Sequence, residues 1–125
     1  MRIAVSAAGD TPDSPMDMRF GRAPYFILID PDTGAYEAAD NGAAQSSGGA
    51  GIATAQMIVD KGAHAVITGN VGPNAMRVLN AGDIPVYGGR QVTVRENMDL
   101  FKKGQLEKIE TTVPAHFGMG GQGRR

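Results

Sequence analysis

Apolar and polar positions follow two different periods along the chain, and the switches between them predict its elements. Arg2 to Ser6 (RIAVS) is a short β-branched run closing on a small polar residue, which reads as a first strand. Tyr25 to Asp30 (YFILID) is a continuous apolar run of strand length. The PDTG that follows, Pro31 to Gly34, favours chain reversal, so Ala35 to Ala39 is expected to return as the second arm of a hairpin. Its alanines make that arm weak on propensity alone. Ile52, Ala55, Gln56, Ile58 and Val59 then fall on one helical stripe that Gly62 closes. His64 to Gly69 (HAVITG) has the pattern of a buried strand, and Pro73 sits where a first helical turn tolerates proline. Met76, Val78 and Leu79 supply the face of that second helix and Gly82 its stop. Ile84 to Gly89 is a further short strand. Thr93 to Lys103 is the clearest amphipathic helix, with Val94, Met98 and Phe101 along one side, Leu100 beside them, and Gly104 at its end.

The order is therefore β, a β-hairpin, α, β, α, β, α. The later β-α-β units require parallel neighbours with right-handed crossovers, while the hairpin requires an antiparallel pair. An α/β fold with a mixed sheet of about five strands, covered by helices, is the expectation. At 125 residues the chain is the size of one domain. That domain is expected over residues 1–109, with 110–125 as a Gly-rich, disordered tail containing GMGGQGRR. No internal repeat at a solenoid period is present.

Composition mainly excludes. The chain has no cysteine, which removes disulfides, thiolate catalysis and thiolate metal ligation together. Its two histidines, His64 and His116, are far apart, so a His-rich metal site is not expected. A net charge of −1 without blocks of like charge gives no pull toward nucleic acid. No apolar run approaches the length of a membrane span, and the N-terminus lacks the apolar region of a secretory signal. The expected location is cytoplasmic, with neither nucleic acid nor membrane as partner. Eighteen glycines are the unusual entry in the composition, and their placement matters more than their number.

They gather at two strand-to-helix junctions, Ser46 to Gln56 (SSGGAGIATAQ) and Thr68 to Met76 (TGNVGPNAM). In open α/β sheets such junctions border the ligand crevice, where helix N-termini present unpaired N–H groups and partial positive charge. Glycine lets an anion approach those groups without meeting a Cβ. Ser47, Gly48, Gly49 and Gly51 from the first junction, and Gly69, Asn70, Gly72 and Asn74 from the second, are the candidates for a shared anionic ligand. Ser46, Ser47, Asn70 and Asn74 are equally suited to capping the helices, and Gly, Ser and Asn are also the ordinary residues of turns. Neither junction is a recognised nucleotide loop: Thr54 stands where a dinucleotide fingerprint needs Gly or Ala, and no GxxxxGK[ST] occurs.

The long loop from Ala7 to Pro24 adds RFGRAP, Arg19 to Pro24. Arg19 and Arg22 offer planar donors to an anion around Phe20 and Gly21, with Phe20 either covering the ligand or plugging the core. Met16 and Met18 are soft thioethers suited to a copper-like metal, or else loop packing; His116 would reach a ligand only if the tail folded back. His64, at the start of a strand, reads as structural. No catalytic constellation emerges. Ser6 and Asp10 lack a nearby histidine, and Asp10, Asp13 and Asp17 lack the spacing of a calcium loop. The chain is expected not to be an enzyme.

RFGRAPYFILID, GGAGIATAQ, AVITGNVGPNAMRVLNAGDIPVY and FKKGQLE, in that order, resemble the dinitrogenase iron–molybdenum cofactor biosynthesis family over nearly all of residues 1–107. The resemblance implies a ribonuclease-H-like three-layer fold with a mixed five-stranded sheet. It also implies non-covalent binding or carriage of a preformed, anionic metal–sulfur cluster. That cluster contains molybdenum, with copper as in small cysteine-free members, or is an iron–sulfur cluster as the alternative. Family members often carry His before the Phe-Gly of this loop, where Arg19 stands here. A coordinating role therefore does not carry over, and electrostatic capture takes its place. From another class, the chain reads as a metal-free adaptor for a partner ATPase or a cluster-assembly protein.

Overall fold

A computed structural model describes residues 1–45 and 49–109. Its strands are β1 (Ile3–Ala7), β2 (Tyr25–Ile29), β3 (Tyr36–Asp40), β4 (Ala65–Thr68), β5 (Val86–Gly88) and β6 (Glu107–Ile109). Its α-helices are α1 (Ala50–Asp60), α2 (Pro73–Ala81) and α3 (Val94–Lys102), and a short 3-10 turn occupies Gly42–Gln45. The fold is mixed α/β, with one sheet in the order β3-β2-β1-β4-β5-β6. Central β1 pairs antiparallel with β2 (Val5 opposite Ile27) and parallel with β4 (Val5 opposite Ile67).

The strand period of two divides the core into two faces. Ala4, Phe26, Leu28 and Val66 point to one side and meet Ala55 and Ile58 of α1 and Met76 and Leu79 of α2. Ile3, Val5, Ile27 and Ile67 point to the other and meet Val94 and Met98 of α3. Strands buried on both faces carry no polar alternation, which is why β1, β2 and β4 read as continuous apolar runs. The three layers are thus two helices, sheet, one helix.

The sheet has six strands rather than about five. β6 pairs antiparallel with β5, Lys108 opposite Tyr87. Only three residues long and exposed at Glu107 and Lys108, it has no apolar pattern to announce it. Backbone pairing to the otherwise open edge of β5 makes it a strand. The expected tail over 110–125 lies outside the described residues.

Strand direction decides where the helices start. β3 and β1 are each antiparallel to β2, and β4 and β5 run parallel to β1. The helices following β3, β4 and β5 therefore all begin at the same edge of the sheet. The loop after β1 is fastened along that edge too. Ala7 bridges Met16, Pro15 bridges Thr93, and Arg19 bridges Asn70. At the opposite edge, exposed His64 accepts the Arg2 N–H at Nδ1, 2.9 Å away.

Among the described residues, only α3 carries a side-chain cap. Thr93 Oγ1 accepts the Glu96 N–H at 3.1 Å, and Glu96 Oε1 accepts the Thr93 N–H at 3.0 Å. This reciprocal pair holds the Glu96 carboxyl below its usual range, the Thr93 backbone bond being the larger cause. Thr93→Ala is expected to lower stability by about 1 kcal/mol. Leu79→Ala, which empties a fully buried position, is expected to cost about 2–5 kcal/mol. Urea unfolding of both variants checks the ranking.

Candidate functional site

α1 and α2 start without side-chain caps. The residue before α1 is Gly49, in a left-handed conformation at φ 73°, and the one before α2 is Gly72 at φ −74° and ψ 168°. The first intrahelical bonds run from Ala53 N–H to Gly49 O and from Met76 N–H to Gly72 O. The N–H groups of Ala50, Gly51 and Ile52, and those of Asn74 and Ala75, precede those bonds and have no intrahelical acceptor. Pro73 has no N–H to contribute.

These two helix starts share one pocket of about 230 Å³, lined by Phe20, Gly21, residues 49–52 and residues 72–75. The absence of side-chain bulk has a packing cause. A Cβ on Gly21 would lie 3.1 Å from both N and Cα of Gly51, and one on Gly51 would lie 3.4 Å from the Ala75 Cβ. The backbones of the loop and of α1 meet at Gly21 and Gly51, and the Ala75 methyl group packs beside them. At the mouth the reason differs, since a Cβ on Gly49 or Gly72 would meet nothing within 4 Å. Space there is open among the described residues, and at Gly49 it is the left-handed φ of 73° that favours glycine.

Phe20 forms the pocket's apolar floor. It is buried and packs edge-on against Phe26, ring centroids 5.3 Å apart. Arg19 is exposed, but its guanidinium is already forked onto Asp17, Nε to Oδ1 at 3.1 Å and Nη2 to Oδ2 at 2.9 Å. The Asp17 side chain is only 11 % exposed, and its carboxyl is held below the ordinary range, chiefly by the Arg19 side-chain hydrogen bonds. Arg22 reaches across to the 3-10 turn, Nη1 donating to Ala44 O at 2.9 Å. Beneath the loop, Ser6 Oγ donates to Asp17 O at 2.6 Å and pairs with Thr68 Oγ1 at 2.7 Å, tying β1, β4 and the loop together.

Of the residues singled out by sequence, Phe20, Gly21, Gly49, Gly51, Gly72 and Asn74 line the pocket. Asn70 is exposed and spends its backbone on the loop, its N–H donating to Met18 O at 2.7 Å and its carbonyl accepting the Phe20 N–H at 3.2 Å. Gly69 does not line this pocket. A Cβ there would lie 2.5 Å from Met18 O, so its smallness serves loop-to-strand packing. Neither Asn70 nor Asn74 caps α2; Asn74, in its first turn, accepts Arg77 Nη1 at Oδ1, 3.0 Å away. Met16 is buried and Met18 half-buried within the α3-side core, across the sheet from the pocket, so neither offers its thioether there. Ser46, Ser47, Gly48 and His116 lie outside the described residues. Sequence reasoning passed over Ala50, Ile52, Pro73 and Ala75, whose signal was position alone: each occupies a first helical turn after Gly49 or Gly72. Among the described residues no group of three or more His, Asp or Glu could hold a metal ion. None of the described helices is long and apolar enough to cross a membrane.

The fold defines a class of small three-layer α/β protein, here without any thiolate. The chain belongs to the dinitrogenase iron–molybdenum cofactor family, whose model matches residues 1–104. Its fold is similar to the apo form of the orange protein from Desulfovibrio gigas, 41% identical, TM-score 0.84, over 87% of this chain and 92% of that one. A Thermotoga protein described under the NifB name in the DUF35 family is 35% identical, TM-score 0.79, over 92% of this chain and 98% of that one. An uncharacterized protein of Methanocaldococcus jannaschii is 33% identical over 94 residues, 73% of this chain and 80% of its own length. Family and neighbours together indicate a role related to metal clusters.

The lowered Asp17 pKa has a consequence for stability. A carboxyl depressed by folding contributes stability above its unfolded pKa and loses it as pH falls through the folded value. Urea unfolding across an acid pH series is expected to show that loss on acidification, and Asp17→Asn is expected to flatten it in the same window.

Proposed function

We propose that the pocket holds a preformed, anionic metal–sulfur cluster without covalent attachment, and that the protein carries such a cluster rather than catalysing a reaction. The cluster contains molybdenum with copper, or is an iron–sulfur cluster as the alternative. The observation carrying this reading is the convergence of two uncapped helix starts on one pocket. Their orphan N–H groups and positive partial charges suit an anion, and a cluster supplies its own sulfur ligands where the protein has no cysteine. Family membership and the likeness to the orange protein support it.

Within this proposal the fold is a ribonuclease-H-like frame used for its helix termini, not for carboxylate chemistry. The amides of residues 50–52 and of Asn74 and Ala75 would donate to the sulfide surface, and Phe20 would meet its less polar part. Arg19 would lend positive charge only in competition with Asp17. Release would pass the cluster to a cytoplasmic assembly partner.

Reconstitution with tetrathiomolybdate and copper, followed by gel filtration, is expected to leave a stoichiometric visible chromophore on the protein. Iron and sulfide in parallel distinguish the two cluster types. Amide resonances of residues 50–52, Asn74 and Ala75 should shift on loading. A colourless protein with silent amides overturns the reading in favour of the adaptor module. Gly72→Asp separates binding from folding. Gly72 has N-cap geometry and open space, so a carboxylate there is expected to raise stability by a few tenths of a kcal/mol, or leave it unchanged. The same carboxylate would occupy the amides and repel the cluster, so the chromophore should be lost while thermal unfolding is unimpaired.

A further inference from the structure

We propose that Asn41 is the positioning residue of the pocket: its buried amide sets the gap between the Phe20–Ala23 loop and the first turns of α1. This rests on the pocket being the binding site and extends that reading to what fixes its width. Asn41 follows β3 and is 3 % exposed. Nδ2 donates to Ala23 O at 2.8 Å, with a longer bond to Gly21 O at 3.4 Å, and Oδ1 accepts from Thr54 Oγ1 at 3.1 Å. Its backbone N–H donates to Pro24 O at 2.9 Å, and its carbonyl accepts the Ala44 N–H at 3.1 Å. One side chain therefore joins the loop bearing Phe20 and Gly21 to helix α1 through Thr54, which is fully buried.

The chemistry admits few replacements. The position needs an NH₂ group facing two carbonyl oxygens and, on the same planar head, an acceptor facing a hydroxyl. Aspartate matches the shape but turns a carboxylate oxygen toward those carbonyls. Serine is too short and glutamine one methylene too long. Because a Cβ on Gly21 would already crowd Gly51, a small displacement of the loop changes how much of the α1 amide row the pocket exposes. Asn97 provides an internal control. It is fully buried on α3, across the sheet, and Nδ2 donates to Arg90 O at 3.0 Å and Thr93 O at 3.1 Å while Oδ1 accepts the Arg90 N–H at 2.8 Å.

The test compares Asn41→Asp, Thr54→Val and Asn97→Asp with the unmodified protein, well below each unfolding temperature. Amide resonances and tetrathiomolybdate affinity are the two readouts. Asn41→Asp is expected to move the Gly21, Gly51 and Ile52 resonances and to weaken tetrathiomolybdate binding by about tenfold or more. Thr54→Val should move the same resonances less, and it carries the test if Asn41→Asp does not fold. Asn97→Asp should lower thermal stability while leaving the pocket resonances and the affinity in place. Unmoved Gly21 and Gly51 resonances in the folded Asn41 or Thr54 variant, or an equal affinity loss in Asn97→Asp, would overturn the proposal. If the unmodified protein takes up no tetrathiomolybdate, the cluster reading fails, and the resonance comparison alone still decides the role of Asn41.

Discussion

The direction of β1 governs the rest of this molecule. β1 is the central strand, antiparallel to β2 on one side and parallel to β4 on the other. With that direction set, β3 runs the same way as β1, because each is antiparallel to β2. The chain leaving β3 and the chain leaving β4 then emerge at one edge, and both cover the same face as α1 and α2. Two helix N-termini are thereby brought together. An antiparallel β1–β4 pair would place the start of α2 at the opposite edge and leave no shared pocket.

Small residues at that edge serve two ends with one chemistry. Gly21 is small because its backbone lies against that of Gly51, with the Ala75 methyl group beside them. Gly49 and Gly72 are unobstructed among the described residues, Gly49 being held in a left-handed conformation that suits glycine. Uncapped helix starts carry a stability cost that α3 avoids through Thr93 and Glu96. Leaving caps off two neighbouring helices makes sense if the vacant donors serve a ligand. Donors of that kind suit an anion.

Charge around the pocket is mostly committed. Arg19 is forked to Asp17, and Arg22 reaches to the carbonyl of Ala44. Both arginines thus act first as ties that shape the loop. Backbone donors keep their directions as long as the helices persist, whereas a free arginine would have to be ordered on binding. Asn41 belongs to the same scheme, a neutral group that fixes spacing without adding charge.

Much of this was legible in the residues. Strands buried on both faces announce themselves as apolar runs, and α3 through the spacing of Val94, Met98 and Phe101. Glycines at two junctions, with RFGRAP, pointed to the segments that line the pocket. β6 was not legible, because three residues on an edge are ordered by a partner strand and not by any pattern of their own. Met16 and Met18 lie a few residues from Phe20 and Gly21 along the chain, yet pack on the α3 side of the sheet, and Gly69 fits closely against Met18. Arg19 read as a donor to an anion, and the fold forks it onto Asp17. Local periodicity depends on neighbours along the chain and can be read one residue at a time. Which side of the sheet a side chain faces, which charge it meets, and which helix ends share a pocket depend on contacts between distant segments, and these exist only once the chain has closed on itself.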